Sequence, residues 1–267
     1  MEQAGHSGGL GEYLEFAKAL AVEAGGITLR YFRRNVAVEY KSDATPVTVA
    51  DRETELFLRG SIHQRYPQHG ILGEEGGETN PGAEWRWILD PIDGTRSFIH
   101  GVPLYTVLIA LEHAGESVLG VIHCPPLDET VAAATGCGCT FNGRPSRVSQ
   151  VKDLDQSLVN VTDYADFMRS NPKFATALLA KVKMCRGWGD AYSYLLVASG
   201  RAEAGLDPVM SLWDLAPLRP IIEEAGGKYS DFQGRQSLNA SNALASNGHL
   251  HAQLLELAAL DLRVARY

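Results

Sequence analysis

Apolar positions recur with a helical period near the start of the chain, at Leu14, Phe16, Ala17, Leu20, Ala21 and Ala24. They predict an amphipathic helix over about residues 10–34, weakened by Gly25-Gly26. Residues 37–40 (AVEY) predict a strand that leads into the turn Lys41-Ser42-Asp43-Ala44-Thr45-Pro46. A second helix is expected over 47–65, with Thr48 at its start and Leu56, Phe57 and Ile62 on one face. The short pair Ile71-Leu72 ends at Gly73-Glu74-Glu75-Gly76, and four strand-like runs follow at 85–89, 104–111, 117–123 and 130–134. Beyond that point strands and helices alternate: strands at 157–161, 202–206 and 243–245, and helices at 171–182, 191–198, 215–225 and 250–262. Gly226-Gly227 ends the helix over 215–225. Antiparallel-looking strands early and alternation late predict an α+β fold with sheets layered between helices. The chain reads as a single domain over 1–267, with a possible division near 145–155 into lobes 1–150 and 151–267. No Pro/Ser-rich linker marks that division, and there is no repeat or low-complexity stretch.

The composition is that of an ordinary globular chain, 45% hydrophobic and 21% charged. Its charge changes the picture more. Twenty-four basic against 32 acidic residues give −8, which argues against nucleic acid as a ligand. An anionic substrate would need bound cations to reverse the local field. No apolar run is long enough to span a membrane. The opening MEQAGHSGGL has neither a basic nor an apolar signal region, so no secretory signal is expected. Cys137 and Cys139 are too close for an ordinary disulfide, and Cys124 and Cys185 complete no paired zinc motif. Reduced thiols in a cytoplasmic protein are expected.

The segment Trp87-Ile88-Leu89-Asp90-Pro91-Ile92-Asp93-Gly94-Thr95 carries the most specific chemistry. It can set two carboxylates, a carbonyl and the N–H groups of a helix start around one point, donors that suit Mg²⁺ and phosphate. Asp-Gly between apolar runs is equally a hairpin turn. Further acids stand at element ends: Glu74 in a Gly-flanked turn, Asp51 one turn after Thr48, and Asp214 before an apolar helix. Each has a structural alternative, respectively a solvated turn, an exposed helix acid and a helix N-cap.

Taken in order, these motifs resemble the inositol monophosphatase-like, magnesium-dependent, lithium-sensitive phosphatases. The matching residues are Lys41, Asp43, Thr45-Pro46-Val47-Thr48 with Asp51; Gly73-Glu74-Glu75; Trp87 to Thr95; Trp213-Asp214-Leu215-Ala216; and Glu224-Ala225-Gly226-Gly227. The resemblance runs from about residue 12 to 258. It implies an αβαβα layered sandwich, a homodimer, and two or three Mg²⁺ per active site. Residues 1–150 would carry the metal site and 151–267 the substrate side. Glu74, Asp90 and the carbonyl of Ile92 are implied as ligands of a first metal, and Asp90, Asp93 and Asp214 of a second. Glu74 would also meet a third, looser ion. Asp51 and Thr95 are implied to orient or deprotonate the attacking water, with Glu74 able to help accept the proton. The N–H groups of Gly94 and Thr95 would hold phosphate. The family's Asn after Gly-Thr-x is replaced by Arg96-Ser97-Phe98, and its Ala-Ala-Gly after Trp-Asp-x by Ala216-Pro217-Leu218; neither removes an implied ligand.

The substrate side is implied at Asp93, Gly189, Asp190, Ala191 and Asp207. Gly189-Asp190 with Ser193-Tyr194 and Leu196-Val197 is most similar to the histidinol-phosphatase branch, which acts in histidine synthesis. The ammonium of histidinol phosphate would suit Asp190 and Asp207. Asp190 as a helix cap and Asp207 as a strand-end acid are the structural alternatives, and Trp188 and Tyr192 can either stack on an imidazole or pack in the core. Inositol 1-phosphate is the alternative substrate, and a nucleotide 3′-phosphate or fructose bisphosphate is less favoured because no second basic cluster is present. A silent sugar-phosphate or RNA-associated binding protein is disfavoured by the retained acids and the negative charge.

Overall fold

The computed structural model describes residues 7–262. The first six residues, part of the segment where no secretory signal is expected, lie outside the described residues. Helix α1 (Ser7–Tyr31) begins and ends about three residues earlier than the periodicity suggests and runs through Gly25-Gly26. Gly25 lies against β-sheet side chains, where a Cβ would come within 2.7 Å of the His123 ring. This glycine is a contact point rather than a break. Strands β1 (Val38–Tyr40) and β2 (Pro46–Thr48) form an antiparallel hairpin, so the residues expected to open the second helix are extended. Proline at the head of an edge strand loses no ladder bond. Thr48 caps α2 (Val49–Arg65).

An eight-stranded sheet follows, with β3 (Gly70–Gly73), β4 (Gly77–Thr79), β5 (Trp85–Asp93), β6 (Thr106–His113), β7 (Glu116–Cys124), β8 (Glu129–Ala134), β9 (Gly138–Phe141) and β10 (Arg144–Pro145). Its order is β10-β9-β8-β7-β6-β5-β3-β4, antiparallel except for β3 beside β5. The short helix α3 (Thr95–Ile99) leaves the end of β5. The second half contributes β11 (Leu158–Val161), α4 (Tyr164–Ser170), α5 (Pro172–Lys181), β12 (Met184–Arg186), α6 (Ala191–Ala198), β13 (Ala204–Asp207), α7 (Leu212–Leu215), α8 (Leu218–Glu224), β14 (Lys228–Ser230), β15 (Ala243–Ser246) and α9 (His251–Leu262). Its five strands run in the order β12-β11-β13-β15-β14, with β11 parallel to both neighbours and β15 antiparallel to both of its own. The single helix expected over 215–225 is two, because Pro217 has no N–H to carry the helical ladder across.

Three cores separate five layers. Leu14, Leu20, Leu58 and Ile62 of α1 and α2 cover one face of the large sheet against Trp87, Leu89, Val107 and Ile109. The other face, with Leu108, Ile122 and Val131, packs on Tyr194 and Leu195 of α6 and Ile221 and Ile222 of α8, which also meet Ala243 and Ala245 of the small sheet. The far face of that sheet, Val159, Val161, Leu206 and Leu244, is covered by Phe167, Phe174, Leu178 and Leu254 of α4, α5 and α9. The result is the αβαβα sandwich expected from the sequence. Among the described residues no helix is long and apolar enough to cross a membrane.

Candidate active site

Strand alternation and one bulge bring the acids of residues 90–93 together. Along β5, Trp87 and Leu89 point toward α1 and α2, while Ile88 faces Ala216 beside α7. Two residues on from Ile88, the same side receives Asp90. Uniform alternation would send Asp93 to the opposite face. The pairing slips instead: Asp90 lies across from Leu108 and Asp93 from Thr106, so three steps on β5 answer two on β6. The extra residue forms a bulge at Pro91-Ile92, where proline would leave a ladder bond unmade. The strand expected over 85–89 therefore continues through a kink at Pro91, and Asp93 returns to the side of Asp90. Asp214 on α7 completes the group, with carboxylate oxygens of Asp90, Asp93 and Asp214 all within 4.8 Å of one another.

Each acid is held by its own donors. Asp90 Oδ1 accepts the Ile92 N–H at 3.0 Å. Asp93 Oδ2 accepts the Thr106 hydroxyl at 2.8 Å and the Ala191 N–H at 2.7 Å. Asp214 Oδ2 accepts the Ser211 N–H at 2.7 Å, closing a capping box. Asp51 is likewise part of a capping box, its Oδ2 accepting the Thr48 N–H at 2.8 Å and hydroxyl at 2.6 Å. Its other oxygen lies 3.4 Å from the Thr95 hydroxyl, which donates to the Ile92 carbonyl at 2.9 Å. Capping and site chemistry are thus compatible uses of one carboxylate, an oxygen for each. Glu74 stands outside the tight group, its carboxylate bound to Lys41 Nζ at 2.7 Å.

These residues border one cavity of about 410 Å³. Asp90, Ile92, Asp93, Gly94, Thr95, Glu74 and Asp214 line it together with Gly189, Asp190 and Asp207. Asp51 is buried behind Thr95 and does not reach the cavity surface. Ala191 borders a smaller chamber of about 80 Å³ shared with Asp190, Asp207 and Met210. Gly94 adopts φ +81°, and a Cβ there would meet Asp190 Oδ2 at 2.8 Å, so glycine lets the two residues approach. Trp188 and Tyr192 do not line the cavity; the Tyr192 hydroxyl is turned to Glu129. His100 is on the surface. Sequence reasoning missed Thr162, whose hydroxyl donates to Asp207 Oδ2 at 2.6 Å and accepts the Asp190 N–H at 2.9 Å. Its position at the end of a strand, just before the α4 cap Asp163, was the available signal. Arg96, Asp163 and Asp166 also border the cavity and were given no role.

The inositol monophosphatase family model matches residues 10–261. The chain belongs to the inositol monophosphatase family. Histidinol-phosphatase of Chlorobaculum parvum is 46% identical over 244 residues, spanning 88% of this chain and 94% of that protein. Histidinol-phosphatase of Mycobacterium tuberculosis is 36% identical over 249 residues, 91% of this chain and 96% of that one. A solved Thermotoga maritima IMPase superposes with a TM-score of 0.87 at 30% identity, covering 95% and 99% of the two chains. The protein is accordingly a phosphatase, a phosphoric monoester hydrolase of this family.

The electrostatics of this inositol monophosphatase-family site fit a bound cation. Among the described residues no Lys or Arg forms an ion pair with Asp90, Asp93 or Asp214. Burial raises Asp90 well above the usual carboxylate range, and Glu74, Asp93 and Asp214 add repulsion. Asp93 is raised likewise by burial, then by Asp190 and Asp214, against its two donors. Burial pushes Asp214 up to about 7, Asp207 up to about 8 and Asp190 up to about 6. Burial also raises Asp51, though Thr48 opposes it. Burial alone would lower the Lys41 ammonium, but its bonds to Glu74 and Glu75 outweigh that and hold it above its ordinary value. An oxygen-only donor set of clustered, desolvated acids is what a hard divalent cation takes.

A pH dependence of stability follows. Free carboxyls titrate near pH 4. Above that, the folded cation-free protein keeps protons that the unfolded chain has released, so stability falls as pH rises through the raised values. The melting temperature of chelated protein is expected to decline from pH 5 to pH 8, and saturating Mg²⁺ to flatten the decline. Calorimetric scans at several pH values check this; a melting temperature that climbs across the window with chelator present would contradict it.

Proposed function

We propose that the protein is a Mg²⁺-dependent phosphatase that hydrolyses L-histidinol phosphate to L-histidinol and phosphate. The observation that carries the substrate is the part of the cavity beside the metal acids. Asp190 and Asp207 share it, joined through Thr162, and among the described residues neither has a Lys or Arg ion-pair partner. Burial raises Asp207, and half-buried Asp190 is raised too although Arg96 opposes it, so an ammonium on the alcohol would lower both. The 46% identity to a protein named histidinol-phosphatase supports the same reading.

Glu74, Asp90, the Ile92 carbonyl, Asp93 and Asp214 would hold two or three Mg²⁺, with Asp90 shared. When bound, such cations lower the pKa of water and offset charge on the phosphoryl and leaving oxygens. Thr95 would orient the attacking water, its hydroxyl oxygen accepting from the water while its own proton turns to Asp51 Oδ1 behind it. Asp51, raised by burial, would receive a proton through that hydroxyl, and Glu74, which borders the cavity, would help accept one. The N–H groups of Gly94 and Thr95 face the phosphate oxygens at the start of α3. Asp190 and Asp207 would hold the alcohol end and so orient the ester for attack.

Inositol 1-phosphate is the second reading, favoured by the match of residues 10–261 to the inositol monophosphatase family. Arg96 is the one basic residue bordering the cavity among the described residues, which disfavours substrates with a second phosphate. Phosphate release from histidinol phosphate, inositol 1-phosphate and adenosine 3′,5′-bisphosphate, compared at saturating Mg²⁺, tests the choice. The highest kcat/KM is expected for histidinol phosphate; a higher value for inositol phosphate would overturn the substrate. Asp190→Asn isolates the charge, since Asn matches the size and shape of the Asp that already adopts φ 51°, ψ −158° there. Loss of a charge-assisted contact should raise KM for histidinol phosphate about tenfold. An equal rise for inositol 1-phosphate would remove ammonium binding from the account.

A further inference from the structure

Glu55 is buried in the fold, 2% exposed, yet no part of the site chemistry above uses it. It lies one helical turn after Asp51 on α2, and Arg59 follows one turn later, so the three side chains form a single stripe. Its carboxylate points out of the helix into the turn between β3 and β4. There Oε2 accepts the Glu75 N–H at 2.7 Å and Oε1 the Gly76 N–H at 2.7 Å. Arg59 Nε donates to Oε1 at 2.6 Å, and the far end of the same guanidinium donates to the Gly77 carbonyl. The turn is moulded on this carboxylate: a Cβ on Gly73 would sit 2.4 Å from Glu55 Oε1, and one on Gly76 at 2.7 Å. The residue so enclosed is Glu74, whose own N–H is tied to the Leu89 carbonyl of β5 at 3.2 Å.

We propose that Glu55 is a positioning residue that sets the cation affinity of the site by locking the turn of Glu74 to helix α2. The proposal rests on the reading of Glu74 as a metal ligand. One helix face then carries both Asp51, behind Thr95, and the anchor that fixes where Glu74 stands. Backbone N–H groups from two consecutive residues converge on one buried carboxylate, and Arg59 balances its charge, so the turn has one position rather than several. Glutamine has nearly the same shape but only one acceptor oxygen. Its NH₂ would oppose a backbone N–H, and the Arg59 pair would be lost. Glu74 would then be free to shift, and the ion it holds would bind less tightly.

The test is calorimetric titration of Mg²⁺ into the full-length protein without substrate. Glu55→Gln should weaken Mg²⁺ binding about tenfold, as loss of a group that orients a metal ligand does. Gly76→Ala disturbs the same contact from the other side, since its Cβ meets Glu55 Oε1 and Arg59 Nε, and should weaken binding too. It decides the question if Glu55→Gln does not fold. Glu74→Gln is measured alongside. If Glu74→Gln binds Mg²⁺ like the unchanged protein, the ligand reading fails and the proposal falls with it. If Glu74→Gln is weakened while Glu55→Gln and Gly76→Ala bind normally, the proposal alone is overturned. A lowered melting temperature with unchanged Mg²⁺ affinity would assign Glu55 a merely structural role and overturn it equally.

Discussion

Asp90→Asn is expected to lose turnover by about a thousandfold or more, the scale of several kcal/mol of transition-state charge stabilisation. Asn keeps the size of the side chain and can still accept the Ile92 N–H at Oδ1. What changes is charge and donor count. The amide offers one oxygen and one NH₂ where two anionic oxygens stood, in a residue only 2% exposed and surrounded by Asp93, Asp214 and Glu74. In its proposed role as a carboxylate shared between cations, Asp90 could not be replaced by its neighbours, which already hold their own hydrogen bonds. The same substitution removes a buried like charge. The chelated Asp90→Asn protein should therefore melt higher than the unchanged protein near pH 8, where the buried group would otherwise be forced toward ionisation. Loss of activity with gain of cation-free stability separates a lost ligand from a damaged fold. Near-normal phosphate release, or a marked fall in melting temperature, would refute the role given to Asp90.

Thr95→Val should lower kcat about a hundredfold, the usual range for loss of a positioned proton-transfer group. Valine fills nearly the same volume at the first residue of α3. It cannot donate to the Ile92 carbonyl or stand near Asp51 Oδ1, the two contacts the hydroxyl makes. Thr95 is the cleaner probe of this pair because Asp51 also closes the capping box of α2, and its removal would unsettle that helix. Mg²⁺ affinity measured by calorimetry should stay close to that of the unchanged protein. A fall in affinity matching the fall in kcat would mean that Thr95 shapes the cation site instead of the water.

Much of this site was legible because its acids stand at element ends with strong local signals. The apolar run into Asp90, the Thr48-x-x-Asp51 cap and the acid before an apolar helix at Asp214 are each readable from neighbours in sequence. How Asp90 and Asp93 come to face one way was not, since it depends on Thr106 rather than a nearer residue lying across from Asp93. Thr162 escaped for the same reason: its partners Asp207 and Asp190 N–H are 45 and 28 positions away. Long periodic helices are legible, whereas β4, β9, β10, β12 and β14 are short and carry no apolar run that marks them as strands, unlike the equally short β11 and β15. Pro217 shows the opposite limit: an apolar run that reads as one helix over 215–225 starts its helix only after this proline, with a separate turn of helix before it.

The most direct test of the whole account is phosphate release from histidinol phosphate by chelator-stripped protein as Mg²⁺ is titrated back. Release should be absent before addition and return along a saturable curve. Turnover that continues undiminished under chelation would contradict the account, because the clustered acids would then have no cation to hold and no means of bringing water to phosphorus.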